Sequence, residues 1–318
     1  MNTLTILIPT YNRCNDLNYN LNLIRSIVVK GSWLSRIQIL VSNNCSTDNT
    51  QKCIDEFLSK SGLNFVSYTQ LSNIGLEKNA LFCLEKATSD FVMFLGDDDY
   101  LSYEYVRDCI EDIDNCSDLK CIIPSWQGIT PTKEMIAGKQ RDVGEKKRYF
   151  EKGFNNCYIN AQRGHQLSGL VFHREGLLKS YYDRKVSNIY PFIYFVGYSC
   201  LNGVTIHNPE HPILITQPGQ SQKDWAYGED GLISEIFDNY KKLNLNFIQR
   251  SLLEVRQIAV SPWRYGYYRE IGGNRGMFAA MKKIVFGKNT SPIGGLLISF
   301  WFIFVTIRYG VRKIIGTR

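Results

Sequence analysis

Several signatures that would announce a cofactor or a metal are missing from this chain. Its nine cysteines include no Cys-x-x-Cys pair and its four histidines form no cluster, so neither a zinc site nor a disulfide framework is supported. Reduced thiols instead suit a cytoplasmic compartment. No G-x-G-x-x-G follows the first strand-like run and no G-x-x-x-x-G-K-[ST] occurs anywhere, which argues against nicotinamide- or ATP-dependent chemistry on a doubly wound sheet. The opening MNTLTILIPTYNR lacks the basic leader and long apolar core of a signal peptide and reads as a buried strand. Internal repeats and low-complexity tracts are absent. The apolar run at residues 293–307 has fifteen residues without charge, short of the roughly 20 that a bilayer-spanning helix needs.

Positive charge is also missing from most of the chain. The net charge is +7, yet residues 264–318 hold ten Lys or Arg against the single acid Glu270, which leaves about −2 for everything before them. Basic character therefore belongs to the C-terminal segment. Lys282, Lys283 and Lys288 precede its apolar run, and Arg308, Arg312 and Lys313 follow it. An apolar helix with cationic shoulders suits the interface of an anionic membrane; a core helix packed on the domain is the alternative. These charges frame Trp301, Phe302 and Phe304 rather than alternating with them, which argues against nucleic acid.

What is present is a regular alternation over the first 125 residues. The β-rich runs LTILIP, RIQILVSNN, LNFVSYTQL, DFVMFLG and LKCIIPSW are separated by segments with helical spacing. This predicts an α/β fold with a mostly parallel sheet and helices on both faces, where ligands sit at the carboxyl ends of strands. Residues 127–162 are polar and poor in aliphatics, and read as a mobile segment or lid. SGLVFHREG then suggests a strand entering a helix, GVTIHN and PILITQ two short strands, and GLISEIFDNYKKL a helix.

The chemistry concentrates at FLGDDDYL. Three consecutive carboxylates, Asp97, Asp98 and Asp99, follow the fourth strand. Mg²⁺ or Mn²⁺ is bound through one or two carboxylates plus phosphate oxygens, and would stabilise a departing diphosphate. The plainer alternative is that the three cap the helix beginning near Ser102. At the end of strand one, Tyr11 could stack on a base and Arg13 could meet a phosphate. VSNNCSTD and LSNIGLEKN end the second and third strands, on the same edge of the proposed sheet.

The ordered set IPTYNR, VSNNCSTDNT and SNIGLEKNALFCLEKATSDFVMFLGDDD resembles the family 2 glycosyltransferases of GT-A fold. The resemblance implies a nucleotide pocket lined by Pro9, Thr10, Tyr11 and Arg13. Asn44 stands where the family commonly has an acid reading the pyrimidine, and an amide there could serve cytosine as well as uracil or thymine. Asn73 and Gly75 would face the base and ribose, Asp98 the ribose or metal, and Asp99 would be the main ligand of Mn²⁺ or Mg²⁺, with Asp97 a further candidate. Many inverting relatives carry an acidic pair near the acceptor, where this chain has Phe192 in SNIYPFIYFVGY; Asp224 is favoured as base from a flanking loop, with His165 second. More loosely, later segments look like bacterial O-antigen transferases of the abequosyltransferase type. That implies a nucleotide-diphosphate sugar donor, an undecaprenyl-diphosphate-linked oligosaccharide acceptor and a peripheral place on the cytoplasmic face of the inner membrane. The implied division is a nucleotide-sugar-binding half at 1–125, an acceptor-binding half at 126–245, and a helical, basic region at 246–318 whose part 282–318 associates with membrane. A non-catalytic nucleotide-sugar-binding or scaffold protein of the same fold is the rival expectation.

Overall fold

A computed structural model describes residues 1–217 and 228–315. Its first strand, β1 (Leu4–Thr10), is buried along its whole length. Leu4, Ile6 and Ile8 enter one apolar cluster and Leu7 another on the opposite face, as the two-residue period of a strand requires. β2 (Ile37–Asn43), β3 (Asn64–Thr69) and β4 (Phe91–Phe94) join it in parallel, in the order β3-β2-β1-β4. Helices α1 (Cys14–Lys30), α2 (Thr50–Lys60) and α4 (Tyr103–Asn115) bury one face of these strands, and α3 (Leu76–Lys86) buries the other.

The sheet continues through β8 (Val171–His173), β5 (Leu119–Ile129), β9 (Val204–Thr216) and β7 (Arg148–Phe150), while β6 (Met135–Arg141) pairs with β5. Strands β6, β7 and β8 oppose the other six of the nine. This is the mostly parallel α/β sheet that the alternation predicts.

Two local expectations are corrected. Residues 127–162 are not a mobile lid: they complete β5 and supply β6, β7 and α5 (Phe154–Asn160). Their polarity misled because β6 is largely exposed, and charged side chains on such strands discourage edge-to-edge pairing. GVTIHN and PILITQ are one strand, β9, whose register against β5 shifts between Pro124 and Trp126. Such an irregularity lets one strand carry two runs separated by prolines.

The second face is completed by α6 (Leu177–Asp183), α7 (Pro191–Asn202), α8 (Ile233–Lys242), α9 (Phe247–Val260), α10 (Trp263–Val285) and α11 (Pro292–Ile315). Leu253, Tyr265, Met281, Ile298 and Phe302 belong to the same cluster as Phe195 of α7, so the C-terminal helices extend this core. α11 is fixed to α9 through buried Glu254, which accepts hydrogen bonds from the backbone N and Oγ of Ser291 and from Arg250.

Where β6 ends, Asp142 gathers cations. Arg163 Nε donates to its Oδ2 at 2.8 Å, His207 Nε2 lies 3.1 Å away and Arg141 Nε 3.6 Å away. Burial raises the Asp142 pKa, but His207, Arg163 and Arg141 more than reverse this and hold it well below the usual carboxylate range. Asp142→Asn leaves two guanidinium groups uncompensated and is expected to cost about 3 kcal/mol near neutral pH. Because the folded pKa is depressed, this stabilisation is complete above the unfolded value of about 3.9 and lost as pH falls toward the folded one. The gap between wild-type and variant melting temperatures should therefore be constant from pH 6 to 8 and close below about pH 4.

Candidate active site

The three carboxylates stand just past β4, at the carboxyl ends of the parallel strands, and each is held by a different part of the chain. Thr10 Oγ1, at the end of β1, donates to Asp97 Oδ2 at 2.6 Å. Ser168 Oγ donates to Asp99 Oδ2 at 2.5 Å, and the Thr216 backbone N, at the end of β9, donates to Asp99 Oδ1 at 2.9 Å. Asp98 is the most open of the three and faces Arg13 Nη1 at 3.6 Å. Beneath them, fully buried Asn20 of α1 donates its amide to the carbonyls of Gly96 and Asp99 at 3.1 and 2.9 Å. Gly96 N donates to Ser168 Oγ. A Cβ on Gly96 would lie 2.8 Å from Asp99 Oδ2, so the turn needs glycine for this close approach.

None of the three is a helix cap. Ser102 caps α4, accepting from Tyr105 N at 3.1 Å. Burial, then the neighbouring Asp98 carboxylate, raises Asp97 to about 7 and Asp99 to about 8; Asp98 is raised mainly by burial. Arg13 opposes this, but one guanidinium does not balance three buried acids. Among the described residues, no three His, Cys, Asp or Glu side chains converge as a ready-made metal cage. The donor set instead suits a cation bound by one or two carboxylates and completed by phosphate oxygens. Asp98 is the most open donor; Thr10 holds one oxygen of Asp97, and Ser168 and Thr216 hold one oxygen each of Asp99, so a cation there would use their remaining lone pairs.

The proposed nucleotide residues gather on the same edge. Pro9 and Thr10 are buried at the end of β1, and Tyr11 and Arg13 are exposed beyond it. Asn44 Nδ2 donates to Asn73 Oδ1 at 2.8 Å, and Ile74 N donates to Asn44 Oδ1 at 2.8 Å. Asn44 thus ties down the loop before α3, and one amide proton is left over for a base. Gly75 opens α3 with φ of 84°, a conformation that favours glycine. The β5–β6 turn arches nearby, with Lys133 Nζ 4.1 Å from the centre of the Tyr19 ring.

At the acceptor side, Phe192 is buried near the start of α7 with its ring 4.7 Å from that of Phe94, so this position is core rather than chemistry. Asp224 lies outside the described residues. His165 is exposed three residues before Ser168, its ring 5.2 Å from Tyr190 and 6.2 Å from Trp263. Sequence reasoning missed Asn20, Ser168 and Thr216. Ser168 and Thr216 meet Asp99 across 69 and 117 residues, and no local pattern marks such partners.

A glycosyl transferase family 2 model matches residues 5–168. The chain belongs to that family. It is 28% identical over 110 residues to the poly(ribitol-phosphate) β-N-acetylglucosaminyltransferase TarS of Staphylococcus aureus, over 35% of this chain and 18% of that protein. It is 33% identical over 95 residues to the abequosyltransferase RfbV of Salmonella typhimurium, over 30% of this chain and 28% of that protein. The chain thus matches well under a third of either relative's length. Its fold matches S. aureus TarS 1–349 in complex with UDP-GlcNAc, with a TM-score of 0.65 at 16% identity over 89% of this chain and 80% of that one. The mannosyltransferase PcManGT of Pyrobaculum calidifontis, solved with GDP-Man and Mn²⁺, matches with a TM-score of 0.56 at 11% identity over 96% and 81% of the two chains. These likenesses establish the GT-A fold of the family 2 chain.

Asn20→Ala removes the amide that gathers the carbonyls of the carboxylate turn. It is expected to cost about 2 kcal/mol of stability, in the range for stranding buried partners, and to weaken Mn²⁺-dependent nucleotide binding without changing any carboxylate. Chemical denaturation and a nucleotide titration on the same variant read the two effects separately.

Proposed function

We propose that the chain transfers a sugar from a nucleotide-diphosphate donor to a hydroxyl of a polyprenyl-diphosphate-linked oligosaccharide, in O-antigen or other surface-polysaccharide synthesis. The observation that carries this is the trio of buried Asp97 and Asp99 and more open Asp98 at the sheet's carboxyl edge, with Arg13 3.6 Å from Asp98. In this reading Tyr11 and Asn44 meet the base, Asn73 and Asp98 the ribose side, and Arg13 a phosphate. A divalent cation held by Asp99 with Asp98 would neutralise the leaving diphosphate. In an inverting transfer, the acceptor oxygen attacks the anomeric carbon as the bond to diphosphate breaks, and a base takes the acceptor proton.

Of the two bases named from the sequence, Asp224 lies outside the described residues and His165 is exposed three residues before Ser168, which holds Asp99. His165→Ala is expected to lower kcat about 100-fold, as loss of general-base catalysis does, while leaving nucleotide binding intact. A smaller fall, with Asp224→Asn costing more, would move the role to Asp224. The C-terminal segment supports a peripheral place on the cytoplasmic face of the inner membrane. No helix among the described residues is long and apolar enough to cross a membrane, yet α11 exposes Leu296, Phe300, Ile303, Phe304 and Ile307. An apolar face of this kind beside cationic residues suits a lipid interface.

The test of the donor site is a thermal-shift panel of UDP, GDP, CDP and dTDP with and without Mn²⁺. One nucleoside diphosphate is expected to raise the melting temperature of the wild type in a metal-dependent way, and Asp99→Ala to abolish the shift. If no nucleotide shifts the wild type under any condition, the donor reading fails.

A further inference from the structure

We infer that the C-terminal helices hold the lipid carrier of the acceptor, with its isoprenoid chain in an apolar slot and its diphosphate in an adjoining basic cleft. The inference rests on the glycosyltransferase reading above and locates the acceptor that reading requires.

The slot and cleft exist because α10 is not straight. Gly273 has φ 58° and ψ −157°, a backbone conformation that is costly for any residue but glycine. A Cβ on Gly276 would lie 2.5 Å from the Tyr268 carbonyl, whereas residues eight apart in a straight helix are separated by about 12 Å along the axis. The helix therefore doubles back into two arms. Between the second arm and α11 lies a slot of about 360 Å³ with walls from Phe278, Met281, Val285, Phe302 and Ile303, and with exposed Lys282 among them. Between the two arms, α11 and β6 lies a cleft of about 840 Å³ that presents Trp263, Tyr267, Arg269, Asn274 and Lys139, with one carboxylate, Glu270, among them. Phe278 and Thr306 line both, so slot and cleft adjoin. Each volume falls in the range of about 300–1,000 Å³ typical of small-molecule sites.

An open apolar groove beside a cleft with two cations, one carboxylate and two aromatic rings suits an amphiphile with a hydrocarbon chain and an anionic head that the two cations meet. Aromatic faces and an asparagine amide also suit the sugars beyond that head. A short run of chain links the cleft to the donor carboxylates. Trp263 meets the His165 ring, and Ser168, three residues further on, holds Asp99; three residues of extended chain reach at most about 11 Å. The exposed row on α11 places the slot's mouth at the surface proposed to meet the bilayer, from which the chain enters.

The test titrates the full chain with geranylgeranyl diphosphate below its micellar concentration, with geranylgeraniol and inorganic diphosphate as half-ligands. The wild type is expected to bind geranylgeranyl diphosphate saturably. Binding should weaken by at least about tenfold for either half-ligand, for Ile303→Trp, which fills the slot, and for Lys139→Glu combined with Arg269→Glu. The metal-dependent nucleotide shift, retained in all variants, verifies folding and an intact donor site. No saturable binding by the wild type, or equal binding by Ile303→Trp, overturns the inference. So does a result in which the variants lose only co-sedimentation with phosphatidylglycerol vesicles, which would make the surface a membrane-docking face alone. Lipid binding that follows the expected pattern in a protein that no nucleotide shifts supports the lipid site and sinks the donor reading instead.

Discussion

Three adjacent carboxylates repel one another, and burying them makes each harder to ionise. The fold nevertheless spends four separate elements on keeping them in place. β1 supplies Thr10, α1 supplies Asn20, the loop before β8 supplies Ser168, and β9 supplies Thr216. All four converge because the strand order puts β4 between β1 and β8, with β9 crossing the mouth through the Tyr100–Leu214 bridge. A helix cap would need none of this support, and Ser102 already caps α4. Among the described residues the ion pair that reaches the trio is that of Arg13 with Asp98, which leaves the turn suited to a positively charged ligand.

Much of this was legible in the residues. The alternation of β-rich runs with helical spacing gave the sheet, since each run's period of two divides its side chains between two apolar clusters, as Leu7 and Ile8 do in β1. The motifs IPTYNR and GDDD could be placed on one edge of the sheet, because strand ends in a parallel sheet share it. The supports were not legible: Ser168 and Thr216 owe their roles to contacts across long stretches of chain. Residues 127–162 misled for a related reason, since polar strands on a sheet's periphery look like loop when only hydrophobicity is counted. The run at residues 293–307 resisted a single label because it is packed on one side and exposed on the other. Ile298 and Phe302 are core, while Phe300 and Phe304 face outward.

The C-terminal helices follow from the same economy of surface. α9 and α11 are locked through Glu254 and Ser291, and their apolar residues merge with the core around α7. What remains exposed is an apolar face on α11 and the cleft made by the break at Gly273. The family match ends at residue 168, so these helices lie beyond it.

The central claim is that the carboxylate turn activates a nucleotide sugar rather than merely binding one. The direct measurement incubates the wild-type chain and Mn²⁺ with a pool of UDP-, GDP-, CDP- and dTDP-sugars and follows each by mass spectrometry. The account predicts that one member is consumed by slow transfer of its sugar to water, giving free sugar and nucleoside diphosphate, and that Asp99→Ala leaves the pool intact. A pool that stays whole with the wild type, while a nucleotide still raises its melting temperature, would contradict the account and mark the protein as a non-catalytic nucleotide-sugar-binding relative.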